Sequence, residues 1–320
     1  MLGNQLAIPS ALSGKTGYAL MAAAALAAAA LVVRRKCATA EHDNPPLGQF
    51  VEVDGVRLHY LERGSGTPVV LLHGNGSMIQ DFTLSGVFDA LAKSHRVIAF
   101  DRPGFGYSAR PNGRIWDQGA QAELINTALQ KLGVEQPIVV GHSWGTMVAT
   151  ALALAHPESV ARLVLMSGYY YPTPRVDVPV MSLPAVPVIG TVLRYTVSPL
   201  ISRVLWPLIR RTLFAPATVS QSFLRWPVWM TLRPSQLRAS AAETAMMIPG
   251  AWHRADQYAE LKMPVTILAG DGDKIVDTQT QSERLHREVS HSALQVIPSA
   301  GHMVHHIAPS EVVSAIAAAA

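Results

Sequence analysis

Val139-Val140-Gly141-His142-Ser143-Trp144-Gly145-Thr146 decides how this chain is read. An apolar run, Pro137 to Val140, leads in, and an alanine- and leucine-rich stretch, Met147 to Ala155, leads out. The first reads as a strand and the second as a helix. They are joined by G-x-S-x-G, a turn so tight that the serine backbone is strained and the residues two before and two after it must lack side chains. Gly141 and Gly145 meet that need. Ser143 is left at the strand's C-terminal end, above the N-terminus of the next helix, where backbone N–H groups and the helix dipole favour negative charge.

Outward from this turn the same alternation repeats. Pro68 to Leu72, His95 to Phe100, Val160 to Met166, Pro264 to Ala269 and Ala293 to Ile297 are further apolar runs. Helical spacing lies between them, through Phe82, Val87, Phe88 and Leu91, over Ala120 to Leu132, over Gln279 to Val289, and over Glu311 to Ala319. Phe50 to Tyr60 alternates and turns at Asp54-Gly55, a hairpin signal. Strands alternating with helices predict an α/β fold with a mostly parallel, doubly wound sheet, whose active sites form at the carboxyl ends of strands. His73-Gly74, Asp101, Ser143 and the residues after Met166 all stand at such ends.

From Tyr171 to Leu261 the pattern changes. Pro172, Pro174, Pro179, Pro184 and Pro187 interrupt the start, and Ser198-Pro199 reads as an N-cap with proline at the first helical position. Apolar residues then recur with helical period from Leu200 to Leu213, with Arg203, Arg210 and Arg211 on the other side and Pro207 as a kink. Trp206, Trp226, Trp229 and Trp252 fall here too. The segment 171–261 is expected to be a helical cap inserted into a core of 41–170 and 262–320. Its apolar faces serve to pack on that core, to line a lipophilic pocket or to rest on a membrane surface.

The chain has 320 residues, 49% apolar and 15% charged, with a net charge of +4. Its basic residues form no long run with interleaved aromatics, so nucleic acid is not an expected partner. One cysteine, Cys37, excludes an intramolecular disulfide. Tyr18 to Val33 carries no charge and is followed by Arg34-Arg35-Lys36. Segment 1–40 reads first as a single-pass membrane anchor over 18–33. The alternatives are a signal peptide cut at Ala38-Thr39-Ala40, giving a secreted or periplasmic protein, and an alanine-rich helix packed on the domain. The basic triplet points to a cytoplasmic domain, opposed by Lys15 and the amino terminus. Glu41 to Gly48, with Pro45-Pro46, reads as a linker.

A serine hydroxyl needs a base to take its proton, and the base needs a third group to orient it. Ser143, Asp273 and His302 come in that chain order, each in a loop after an apolar strand. Here the chain resembles the α/β-hydrolase-fold serine hydrolases, from Phe50 to Ala320. His73-Gly74-Asn75-Gly76 is similar to their oxyanion loop, Asp101 to Ser108 to their D-x-x-G-x-G-x-S loop, and Gly141 to Gly145 to their nucleophile elbow. Gly270-x-x-Asp273 resembles the acid loop, and Gly301-His302 the histidine loop.

The resemblance implies Ser143 as nucleophile, His302 as base and Asp273 as its orienting acid, with the backbone N–H groups of Asn75 and Trp144 as the oxyanion hole. Asp271 and Asp277 are rivals to Asp273, and His305 and His306 to His302. His73, His142 and Asp101 are expected to be structural, and Tyr169 and Met303 are candidate substrate contacts. His302-x-x-His305-His306 lacks a Cys, Asp or Glu at supporting spacing, so no metal and no cofactor is expected.

A serine nucleophile separates the chain from the aspartate-using dehalogenases and epoxide hydrolases of this fold. Ser77 stands where carbon–carbon bond hydrolases of this type carry proline. The expected activity is therefore hydrolysis of a small-molecule carboxylic ester with a lipophilic acyl group. Carbon–carbon bond hydrolysis or perhydrolysis is the alternative, and a non-catalytic binder on a hydrolase scaffold is the rival from another class.

Overall fold

The computed structural model describes residues 14–318. Residues 1–13 of the N-terminal segment, and residues 319–320 where the last expected helix ends, lie outside the described residues. The first element of the described residues is helix α1 (Lys15–Asp43). It is longer than the apolar run, for it continues through Arg34-Arg35-Lys36 and takes Glu41 to Asp43 from the expected linker. Arg34, Arg35, Lys36 and Glu41 are good helix formers, and the first breaker after them is Pro45-Pro46. Val33, Cys37 and Ala40, at helical spacing, form its buried strip.

Strands β1 (Gln49–Val53) and β2 (Val56–Arg63) form the expected hairpin. Asp54 and Gly55 have φ of 49° and 73°, the pair of positive values that a two-residue turn of the right twist requires. Then come β3 (Pro68–Leu72), α2 (Gln80–Ser85), α3 (Val87–Leu91), β4 (Arg96–Phe100), α4 (Gln118–Lys131), β5 (Ile138–His142), α5 (Trp144–Ala155) and β6 (Arg162–Met166). The cap follows, with α6 (Val178–Ser182), α7 (Ile189–Tyr195), α8 (Val197–Phe214), α9 (Val228–Thr231) and α10 (Pro234–Arg254). The core closes with β7 (Val265–Gly270), α11 (Arg284–Glu288), β8 (Ser292–Ile297), α12 (Val304–Ile307) and α13 (Pro309–Ala317).

The sheet order is β1-β2-β4-β3-β5-β6-β7-β8. Pairing is antiparallel through β1-β2-β4 and parallel from β4 onward. Alternate residues of β3 serve opposite faces: Val70 and Leu72 join the core that includes Trp144 and Val148, and Val69 and Leu71 join the one that includes Phe82 and Phe88. A third apolar cluster joins α1, the cap and the core through Ala40, Phe214, Phe223, Trp226, Met78 and Met303.

Helix α8 begins at Val197, so Ser198 and Pro199 lie inside it rather than at its start, and Thr196 provides no side-chain cap. The first-turn N–H groups of a helix have no intrahelical partner, which is why Pro199 is tolerated there. The helix runs on through Pro207.

Helix α5 leaves β5 so close to β3 that a Cβ on Gly145 would lie 2.2 Å from the Leu72 carbonyl oxygen. Backbone on both sides prevents relief. Gly145→Ala is therefore expected to destabilise the fold by ~1–3 kcal/mol, the usual range for overpacking a tight site. A urea midpoint equal to that of the parent chain would contradict this packing.

Candidate active site

Four strand ends deliver the residues of the site. β5 ends at His142, and Ser143 follows with φ 52° and ψ −123° before α5 begins. That conformation lifts the serine out of the strand line and is costly for a residue with a Cβ. It is held by Ser143 N–H donating to the Met166 carbonyl at 2.9 Å and by the Thr146 hydroxyl donating to the Ser143 carbonyl at 2.7 Å. Gly141 is required below it, since a Cβ there would come within 2.7 Å of the Gly145 carbonyl oxygen and the Thr146 Cα.

Beyond β7, Asp273 accepts the N–H groups of Ile275 and Val276 on Oδ1, at 2.8 and 3.0 Å. Its other oxygen, Oδ2, lies 2.7 Å from Nδ1 of His302, and both side chains are buried. The carboxylate thus fixes the proton on Nδ1 and leaves Nε2 as the basic nitrogen. The two rivals of Asp273 stand elsewhere. Asp277 is exposed and bonded to Thr280, and Asp271 is exposed. The His302 N–H donates to the Leu213 carbonyl at the end of α8, at 2.9 Å. Its own carbonyl lies 3.0 Å from Nε2 of His142, the residue before the serine. Ser143 Oγ has no hydrogen bond among the described residues, as is common in an unliganded site.

The loop after β3 runs directly over the serine, for a Cβ on Gly74 would lie 3.0 Å from the Ser143 Cβ. The backbone N–H groups of Asn75 and Trp144 have no acceptor among the described residues. Both residues are tied by their side chains to helix α10. Asn75 Nδ2 donates to the Ser240 carbonyl and the Thr244 hydroxyl, at 3.2 and 3.1 Å, and the Trp144 indole N–H donates to the Glu243 carbonyl at 3.2 Å. Of the two candidate substrate contacts, Tyr169 has its hydroxyl bound to Thr173 and lines a cavity of about 360 Å³ beside Asp273. Met303 is buried in the cluster that links the cap to α1.

Two buried polar groups escaped the sequence reading. Arg102 and Glu243, both fully buried, form a bidentate pair at 2.5 and 3.0 Å, and Arg102 also donates to the carbonyls of His73 and Gly74. The Asp-Arg-Pro-Gly sequence marks the arginine, but nothing marks a glutamate in a cap helix. The second group is Asp81. Its Oδ1 lies 2.9 Å from Nε2 of both His305 and His306, and its Oδ2 accepts the Ser77 hydroxyl. His305 and His306 begin α12 and point away from the serine's partner, toward this acid.

Asp81, His142 and His305 bring donor atoms within 4.8 Å of one another. The Asp81 oxygens, however, already take protons from two imidazoles and a hydroxyl. Burial pushes the Asp81 carboxyl up, but the charge and hydrogen bond of His305, with those of His306, outweigh it and hold it well below the ordinary carboxylate range. Asp101 is likewise held low against burial by His59, and it accepts the Ile79 and Tyr107 N–H groups, which fixes its loop.

Residues 67–309 match a family profile described as alpha/beta hydrolase fold. A 2-hydroxymuconate semialdehyde hydrolase of Pseudomonas sp. (strain CF600) is 38% identical over 130 residues, 40% of this chain and 46% of that protein. The chain therefore spans under half the length of that relative. A 2-hydroxy-6-oxo-2,4-heptadienoate hydrolase of Pseudomonas putida is 27% identical over 273 residues, 82% of this chain and 91% of its own length. Among solved structures, a membrane phospholipase A described as a bacterial virulence factor superposes with a TM-score of 0.66 at 23% identity, over 95% of this chain and 96% of that one.

The buried imidazoles set a pH dependence. Burial, then the Arg102 charge, lowers His73 to about 3. Burial, then the neighbouring histidines, holds His142 well below its ordinary value. An unfolded chain binds these protons near pH ~6.5 and the folded chain does not, so stability is full above that value and falls as the pH drops toward about 3. His73 contributes ~1.4 kcal/mol per pH unit in that window. Urea midpoints are expected to decline steadily from pH ~7 to pH ~5; a constant midpoint would contradict neutral burial of these rings.

Proposed function

Because the chain belongs to the alpha/beta hydrolase fold family, we propose that it is a serine hydrolase that cleaves the carboxylic ester of a lipophilic acyl substrate. The observation that carries this reading is the 2.7 Å contact of Asp273 with His302, beside a serine raised on a strained turn. Ser143 Oγ attacks the ester carbonyl carbon while His302 Nε2 takes its proton. The carbonyl oxygen becomes an anion between the Asn75 and Trp144 N–H groups at the head of α5. Collapse expels the alcohol, which leaves with the proton from His302, and Ser143 holds the acyl group. Water then attacks with His302 again as base, releasing the acid.

The apolar side of the site argues for a lipophilic acyl group. The histidine loop is followed by Met303, and His306 lies against the rings of Phe214 and Phe223 from the cap. Arg102, the buried cation under the oxyanion loop, is already neutralised by Glu243. A cap so composed receives hydrocarbon better than a charged acid.

Carbon–carbon bond hydrolysis is the second reading, supported by the two Pseudomonas relatives whose names carry that activity. Ser77 in place of the proline of that group weighs against it.

We further read α1 as a retained membrane anchor. By length and composition it is one helix able to cross a bilayer. Cleavage at Ala38-Thr39-Ala40 would cut the helix within its packed strip and remove the buried Val33 and Cys37.

Hydrolysis of p-nitrophenyl esters from acetate to decanoate tests the assignment against a vinylogous diketone substrate. Ester turnover is expected to rise beyond acetate and to fall by ~10³-fold or more in Ser143→Ala. Activity restricted to acetate would remove the lipophilic acyl group, and faster cleavage of the diketone would reverse the order of the two readings.

A further inference from the structure

The outer face of the cap is built the wrong way round for a helix in water. In α8 the residues Ile201, Val204, Leu205 and Leu208 follow the i, i+3, i+4, i+7 spacing of a single apolar stripe. Such a stripe normally faces a core. Here it faces outward: Ile201 is 53% exposed, Val204 78% and Leu208 63%. Among the residues of this helix, only Pro199 and Phe214 are fully buried. The chain just before it continues the same surface, with Val188 77% and Ile189 61% exposed at the bend between the apolar segments 178–185 and 189–195, which meet at 90°. A contiguous apolar surface of this kind on a folded domain marks a place where something else excludes the water.

The cap sequence that builds this face is rich in cations, although Asp177 stands exposed just before it and Arg233 is buried against Glu41. From residue 178 to residue 242 the sequence contains seven arginines and no Asp or Glu. Arg203 and Arg211 are exposed on α8 itself, beside the apolar stripe. Long cationic side chains beside an exposed apolar stripe suit a layer that is hydrocarbon inside and anionic at its border.

The occupant is indicated by α1. It packs on α7, α8 and α9, the same cap helices. Beyond Gly17, its half-buried and buried positions are Ala29 and Ala30, Val33 at the end of the apolar run, Cys37 and Ala40. At ~1.5 Å per residue, the 29 residues of α1 reach ~43 Å, more than the ~30 Å of a hydrocarbon core. If Tyr18 to Val33 is in the bilayer, the elements that cover Ala29 to Val33 lie at its edge.

We propose that the outer face of α7, α8 and the bend before them is immersed in the border of the bilayer that α1 crosses, on anionic phospholipid, so that the cap opens toward membrane-borne acyl esters. This rests on the reading of α1 as an anchor and deepens the proposed function by naming lipid as the source of substrate. It does not depend on the chemistry at Ser143.

The test uses the full chain, with Cys37→Ser, in vesicles of phosphatidylcholine and phosphatidylglycerol. Val204→Cys, Ile189→Cys and, on an exposed turn of the core, Glu135→Cys are labelled one at a time with an environment-sensitive fluorophore. Labels at 204 and 189 are expected to shift to the blue and to be quenched by lipids spin-labelled near the headgroup, and the label at 135 is expected to do neither. Labels at 204 and 189 that remain as aqueous as that at 135 overturn the proposal. So does efficient disulfide formation between two chains at position 204 without lipid quenching, which makes the face a contact between copies.

A second measurement separates docking from catalysis. Val188→Asp with Val204→Asp and Leu208→Asp is expected to keep turnover of a soluble short-chain ester and to lose about tenfold or more on the same ester chemistry presented in vesicles. Equal loss on both substrates overturns the proposal. Absence of ester hydrolysis in the parent chain, with lipid quenching intact, removes the proposed function and leaves the docking.

Discussion

The whole site depends on one close approach. The carbonyl oxygen of Leu72 lies where a side chain at position 145 would begin, so α5 can cross β3 only through a glycine. The same proximity compresses the turn before it and forces Ser143 to a positive φ. Once the turn is closed, the serine has no room to relax into the strand, and the head of α5 is aimed at whatever the serine holds. The strain is sustained by the packing of β3, β5 and β6 on either side, where residues of all three strands are fully buried. The price of the strained turn is a core that accepts almost no change near it.

Around that turn the cap and the core act as one body. Helix α10 holds Asn75 and Trp144 by their side chains and places Glu243 on Arg102, while Gln236 accepts the Gly106 N–H and donates to the Ser77 carbonyl. A buried ion pair is a weak source of net stability, because both charges lose water. Its geometry is nonetheless demanding, and here it sets the register of a cap helix over the loop that follows β3. The cap is therefore more than a cover: it supplies the struts for the N–H groups beneath it.

How far the sequence could be read follows from what kind of constraint each feature obeys. The turn at Ser143, the hairpin at Asp54-Gly55 and the buried strands obey local rules of sterics and periodicity, so they are visible in a single chain. The meeting of Asp273 with His302 was legible because each sits after an apolar run, and parallel strands gather their carboxyl ends. Glu243 was not legible, since its partner lies 141 positions away and its surroundings in α10 are ordinary. Asp81 was missed for the same reason: the histidines near the C-terminus drew attention, but their acid comes from 224 and 225 positions earlier. The apolar period of α8 was seen correctly, yet period alone does not tell which side of a helix meets water.

One hydrogen bond, from the His302 N–H to the Leu213 carbonyl, ties the histidine loop to the last turn of α8. The end of that helix also walls in Gly301, where a Cβ would lie 2.5 Å from the Ala215 carbonyl oxygen. The position of α8 and the placing of the His302 ring are consequently not separate degrees of freedom. Any displacement of the last turn of α8 is handed directly to the backbone that carries the imidazole. The cap helix and the histidine loop therefore share one rigid joint, and a substitution in either is felt in the other.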